Sequence, residues 1–105
     1  MSLMTIEPVP RREDILRALR ESRSLLDSFG AGRVSLFGSF ARDEAGGESD
    51  VDLLVEFQRP IGLFAFVRLQ RLLGERIGRR VELVTPDALK PQLRDQILCE
   101  AVIAA

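Results

Sequence analysis

Apolar positions along this chain switch several times between a helical and an extended period. Ile15, Leu16, Leu19, Leu26 and Phe29 share one stripe at helical spacing, which predicts a first helix over residues 10–29. Pro10 suits its first position, Glu13 and Asp14 complement its N-terminal dipole, and Gly30 and Gly32 stop it. Ser22 interrupts the stripe without ending it. Residues 33–37 (RVSLF) and 51–57 (VDLLVEF) read as strands, and the Leu53-Leu54-Val55 centre of the second predicts burial on both faces. Between them, residues 38–45 read as a turn opening a short helix, followed by a polar, glycine-bearing loop. Residues 62–77 form the next helix, carrying Leu63, Phe66, Val67, Leu69, Leu72, Leu73 and Ile77, and Gly78 stops it. Residues 80–84 (RVELV) read as a third strand. Thr85-Pro86 starts a last helix that Lys90-Pro91 restarts, with Leu93, Ile97 and Ala101 at i, i+4 and i+8. The order α-β-α-β-α-β-α predicts a small α/β fold, three strands with helices packed on them. Met1-Ser2-Leu3 before a second methionine reads as a cloning scar, so the domain is placed at residues 5–105. Thr5 to Val9, broken by Pro8 and Pro10, reads as a lead-in.

Composition narrows what such a fold can do. A chain of 105 residues holds one core and leaves no room for a second substrate-binding domain. Fifteen Lys and Arg against sixteen Asp and Glu give a net charge of −1, so no bulk basic bias draws it to nucleic acid or anionic membrane. No apolar run approaches the roughly 18–20 residues of a membrane span, and the N-terminus lacks the zones of a signal peptide, which together read as a cytoplasmic protein. The single cysteine, Cys99, makes no internal disulfide. There is no histidine, which excludes the common His/Cys zinc sites and any His general base. Chemistry here must come from carboxylates, hydroxyls, arginines and backbone amides, a donor set suited to hard cations such as Mg²⁺.

The candidate chemistry is concentrated between Leu36 and Val55. Asp50 and Asp52 stand at i and i+2 at the mouth of a strand, on one face and about 6–7 Å apart along the chain. Two such carboxylates repel each other, and a divalent cation gives them a reason to stay ionised. The alternative is a polar strand edge facing water. Gly38-Ser39, at a strand-to-helix turn, allows close backbone approach to an anion and leaves free amides to cradle phosphate. The alternative is an ordinary tight turn with Ser39 as its cap. Glu82, the one acid of the third strand, completes a three-carboxylate cluster if that strand neighbours the Asp50/Asp52 strand. Otherwise it faces solvent on an edge or pairs with Arg79 or Arg80. Taken together, a phosphate cradle beside a divalent-metal site is equipment for attack on a nucleotide α-phosphate.

The run Gly38-Ser39-Phe40-Ala41-Arg42, followed by Ser49-Asp50-Val51-Asp52-Leu53-Leu54-Val55, resembles the minimal nucleotidyltransferases of the DNA polymerase beta superfamily. Their hallmark is a Gly-Ser turn, a spacer of roughly ten residues, then Asp-x-Asp. The resemblance continues through Gly62-Leu63-Phe64 and Val81-Glu82-Leu83-Val84-Thr85-Pro86 to Leu89-Lys90-Pro91. Within the superfamily the chain is most similar to the MntA-like antitoxins that are paired with HEPN-type toxins. The resemblance implies a polymerase beta-like fold on a three-stranded mixed sheet. It also implies Mg²⁺ as cofactor, ATP as substrate, and AMP transfer to a tyrosine of a helical HEPN toxin. By position, Gly38 and Ser39 would hold the triphosphate, with Arg42 a further phosphate contact. Asp50 and Asp52 would bind metal, and Glu82 would occupy the third-carboxylate place as metal ligand and proton acceptor. Glu82 departs from the family's usual Asp by one methylene, and Asp43 stands where relatives often carry Gly after the Arg.

Two functions follow. One is an enzyme that adenylylates a protein partner. The other is an antitoxin that neutralises its partner by occlusion, with Glu82 marking a weakened site. Antibiotic modification would need a second domain, and polymerisation would need a basic, aromatic platform that a chain without Tyr or Trp lacks. No membrane and no direct nucleic-acid partner is expected. The helix at 63–77 carries more apolar surface than one core stripe requires. It is either buried between sheet and terminal helix or a docking face for another protein or a second copy.

Overall fold

The computed structural model describes residues 11–47 and 49–105. The expected scar, the lead-in and the role of Pro10 lie outside the described residues.

The first apolar stripe forms two helices, α1 (Arg12–Glu21) and α2 (Arg23–Ser28), in place of one. Ser22 is the break. It is 2% exposed, and its hydroxyl donates to the Ala18 carbonyl at 2.7 Å, competing with the helical ladder. Its own N–H bonds Leu19 O, three residues back. Both pieces still present Ile15, Leu19 and Leu26 to the core. At the start of α1 the Arg11 N–H donates to the Asp14 carboxylate at 3.0 Å, satisfying one orphan amide.

Strand β1 (Ala31–Phe37) and β2 (Val51–Phe57) pair antiparallel, Val34 against Val55 through Phe37 against Asp52. Helix α3 (Leu63–Ile77) ends at Gly78, whose φ of +81° places it in the left-handed region that favours glycine. It returns the chain to β3 (Val81–Val84), which runs parallel to β2. A 3₁₀ turn (Pro86–Ala88) precedes α4 (Pro91–Glu100) and a short β4 (Val102–Ile103). The sheet is mixed, in the order β3-β2-β1-β4. It therefore has four strands, not the three expected from the pattern. The extra strand exists because Ala101 turns extended after Glu100 and lays the C-terminus along β1, with Val34 N–H donating to Ala105 O at 2.8 Å.

Alternation along the strands sorts the two faces. Val34, Leu36, Val51, Leu53, Val55, Val81 and Leu83 face Leu69 and Leu73 of α3 and the apolar sides of α1 and α2, forming one core. Asp52, Leu54, Glu56 and Glu82 occupy the other face, where Leu54 is buried apart from that core. Leu53, Leu54 and Val55 are all buried, as the continuous apolar run predicts. The last helix departs from its pattern. None of its residues is buried, Leu93 and Leu98 are about half exposed, and Ala101 lies beyond its end.

The short helix expected over 38–45 is a single turn. Arg42 N–H bonds Gly38 O at 3.1 Å, then Glu44 N–H reaches Ser39 O at 2.8 Å and Asp43 N–H reaches Phe40 O at 3.2 Å. That pair of bonds closes a helix end, and it puts Asp43 at the left-handed position with φ +60°. A non-glycine residue there costs about 1–2 kcal/mol. Glycine gives back roughly 0.4–1 kcal/mol through unfolded-chain entropy. Asp43→Gly should therefore raise Tm by a few degrees in a thermal melt; a lower Tm would show that the aspartate stabilises the turn by a contact of its own.

Candidate functional site

The turn after β1, the start of β2 and the start of β3 meet at one end of the sheet. Gly38 has φ +76°, and a Cβ added there would collide with Asp52 Oδ2. The absence of a side chain is what lets the turn lie against the carboxylate. Among the described residues, the N–H groups of Ser39, Phe40 and Ala41 have no acceptor. Glycine at the turn, free amides and an adjacent carboxylate thus share one small volume.

Asp52 and Glu82 stand directly side by side in the parallel register of β2 and β3, so their side chains share a face. Asp52 is partly buried and Glu82 is exposed on an edge strand. Among the described residues Glu82 forms no ion pair, and Arg79, one of its alternative partners, is turned elsewhere. Burial, then the charge of Glu82, then that of Asp50 push the Asp52 carboxyl up from its usual value, with Arg42 partly opposing them. Asp50 therefore lies within electrostatic reach of Asp52. Among the described residues no three carboxylates close into a preformed metal cage. The three carboxylates stand in an open arrangement at this end of the sheet, where the charges of Glu82 and Asp50 act on Asp52. Such a set fits Mg²⁺, which takes one or two carboxylates and leaves positions for phosphate oxygens and water.

Arg42 is not free to meet a phosphate in this arrangement. Its Nε lies 3.1 Å from Glu44 Oε2 and its Nη1 3.1 Å from Glu100 Oε2 on α4. The hydrogen bond to Glu44, and then Glu100, raises the guanidinium pKa further. Sequence reasoning missed Glu100, 58 residues away along the chain, and no local signal could have supplied it. It also missed two arginines that hold the turn from outside. Arg12 Nη1 donates to Ala41 O at 3.1 Å. Arg79 lies with its guanidinium carbon 5.5 Å from the centre of the Phe40 ring. Two grooves of the surface lie elsewhere, one along Val55–Ile61 and Thr85–Asp87 and one on the outer side of α3.

The raised Asp52 pKa has a sign that can be tested. A carboxyl whose folded pKa exceeds its unfolded value of about 3.9 favours folding fully below that pH. The contribution is lost as pH rises through the folded pKa. Once ionised, the Asp52 carboxylate of the metal-free protein is desolvated and repelled by Glu82 and Asp50. Asp52→Asn should raise the Tm of the metal-free protein at pH 7, and the gain should shrink as pH falls toward 4. A Tm lowered at pH 7 would show that the ionised carboxylate is stabilised by contacts that outweigh the repulsion.

A profile of the nucleotidyltransferase domain matches residues 13–104. The protein adenylyltransferase MntA of Thermococcus cleftensis is 36% identical over 102 residues, 97% of this chain and 98% of that protein. A solved structure provisionally named a minimal nucleotidyltransferase superposes with a TM-score of 0.77 at 43% identity, over 91% of this chain and 98% of that one. The fold also recurs, at 18% identity and a TM-score of 0.64, in a complex of a tri-AMPylated Shewanella oneidensis HEPN toxin with its MNT antitoxin. The match covers 87% of this chain and 71% of that one. With the domain profile matched over residues 13–104 and a relative 36% identical over 97% of its length, this chain belongs to the nucleotidyltransferase domain family.

Proposed function

We propose that this protein is a Mg²⁺-dependent adenylyltransferase that moves AMP from ATP onto a tyrosine hydroxyl of a HEPN-type toxin, silencing it as its antitoxin in the cytoplasm. The observation that carries the reading is the packing of Gly38 against the Asp52 carboxylate with Glu82 in register beside it. It puts a glycine turn with free amides against carboxylate oxygens, which supports a turn that accepts an anion beside oxygens that ligate a metal. The Thermococcus relative is named for protein adenylyl transfer, and the Shewanella complex pairs an antitoxin of this fold with an AMPylated toxin. Among the described residues no helix is long and apolar enough to cross a membrane.

In this reading Gly38 and Ser39 hold the triphosphate through backbone amides and the Ser39 hydroxyl. Asp50 and Asp52 would hold the metal, with Glu82 as a third carboxylate beside them. Bound there, Mg²⁺ would neutralise charge on the phosphate oxygens. The acceptor oxygen attacks the α-phosphorus, its bond to AMP forms as the bond to pyrophosphate breaks, and the hydroxyl proton passes to Glu82. With no histidine in the chain, an exposed carboxylate facing the metal ligands is the group able to receive it. Arg42 contacts phosphate by exchanging its Glu100 partner for the incoming anion.

Occlusion without transfer is favoured by a different observation. Leu63, Phe64 and Val67 of α3 are strongly exposed, Phe64 at 91%, and offer surface for a partner or a second copy. Co-expression with a neighbouring helical reading frame, followed by intact-mass measurement of the purified partner, separates the two. Adenylyl transfer predicts a partner heavier by whole AMP units, and unmodified when Asp50 and Asp52 are both changed to Asn. A silenced partner of unmodified mass establishes occlusion.

A further inference from the structure

We infer that Arg79 is a positioning residue for the transfer site, an assignment that rests on the function proposed above. The loop between the turn and Asp50 has little packing of its own. A Cβ on either Gly46 or Gly47 would meet nothing within 4 Å. Its internal bonds are Gly46 N–H to Ser49 Oγ at 2.9 Å and Ser49 N–H to Gly46 O at 3.2 Å. Ala45 packs against the core at its start, and among the described residues the tie from Gly46 to Ser49 back to the body is one guanidinium. Arg79 Nη2 donates to the carbonyls of Gly46, Gly47 and Ser49, each at 3.0 Å. The same guanidinium lies against the ring of Phe40, which is buried. Next along the chain, Arg80 O accepts the Val51 N–H at 2.9 Å, joining the two parallel strands at their start.

One side chain thus links three parts of the site. Phe40 follows Gly38-Ser39, Ser49 precedes Asp50, and Arg79 lies three residues before Glu82. The planar fork is suited to this: it aims donors at several carbonyls while its face stacks on a ring. An ammonium can hold the carbonyls but not the stack. Arg79 touches neither nucleotide nor metal in this account; it fixes where Asp50 stands relative to the turn and to β3.

The test compares wild type, R79A and R79K as full chains. Hydrogen–deuterium exchange of the ligand-free protein reads the anchor directly, and label transfer from α-labelled ATP reads its consequence. In R79A, exchange over residues 44–52 should rise at least roughly tenfold with the core of α1 and α3 unchanged. The kcat should fall by about 10²-fold, the effect of misplacing a reacting group by ~1 Å, while KM for ATP changes much less. R79K should recover part of kcat. A folded R79A with wild-type exchange in that segment and wild-type kcat overturns the assignment. So does a fall in kcat that R79K does not relieve at all, or a rise in KM alone. Should R79A fail to fold, R79K carries the test: wild-type kcat in it, with wild-type exchange, overturns the proposal. If wild type transfers no label, the functional reading fails, while the exchange result still decides whether Arg79 anchors the loop.

Discussion

Gly38→Ala will cost this protein stability and nearly all of its transfer activity. The backbone there has φ +76°, where a Cβ costs about 1–2 kcal/mol. In a domain of this size that is a fall in Tm of roughly 5–15 °C. The new methyl also falls onto Asp52 Oδ2, so the carboxylate must swing aside or the turn must lift. Either movement separates the turn from the Asp52 carboxylate by the order of an ångström, which in the proposed mechanism is worth about 10²-fold in rate. A thermal melt and label transfer at saturating ATP measure the two effects. Gly46→Ala is the matching control, because a Cβ there meets open space and its φ is not positive. A Gly38→Ala protein with wild-type transfer would show that the turn and Asp52 do not act together.

Glu82→Gln separates binding from chemistry. Glutamine keeps the shape of the side chain and cannot take the proton. General-base assistance is typically worth 10²–10⁴-fold, so kcat should fall by about that factor with ATP affinity largely intact. It also removes one of the charges that push Asp52 up, so the metal-free protein should not lose stability. Glu82→Asp keeps a carboxylate one methylene shorter, the residue the resemblance implies for this place, and should retain or raise activity. A wild-type kcat in Glu82→Gln would leave the site active with another group as its base.

Much of this arrangement is legible in the residue order, for a local reason. Strand β2 runs over the seven residues its alternation marks, and period 2 alone puts Asp52 and Glu82 on one face once β2 and β3 are neighbours. The left-handed φ at Asp43 falls where the resemblance implies a glycine after Arg42. What escapes the sequence is set by distant contacts. Ser22 divides the first helix because its hydroxyl takes a carbonyl from the ladder, a choice that apolar spacing does not encode. Strand β4 is two residues long and exists only because β1 offers an edge. Arg42 is held by Glu100 and the loop by Arg79, pairings that local periodicity does not reveal. The stripe of α4 has the right spacing, yet among the described residues it is left largely uncovered, with Leu93 about half exposed and Ile97 only partly buried.

The central claim is that the turn at Gly38 and the carboxylates of β2 form a nucleotide site used for transfer. Incubating the purified chain and the HEPN-type toxin proposed as its partner with α-labelled ATP tests it most directly, for wild type and for Asp50→Asn with Asp52→Asn. The account predicts label on the wild-type partner, dependent on Mg²⁺, and none with the double variant. Equal labelling by the double variant, or a partner neutralised by wild type without any label, would contradict it.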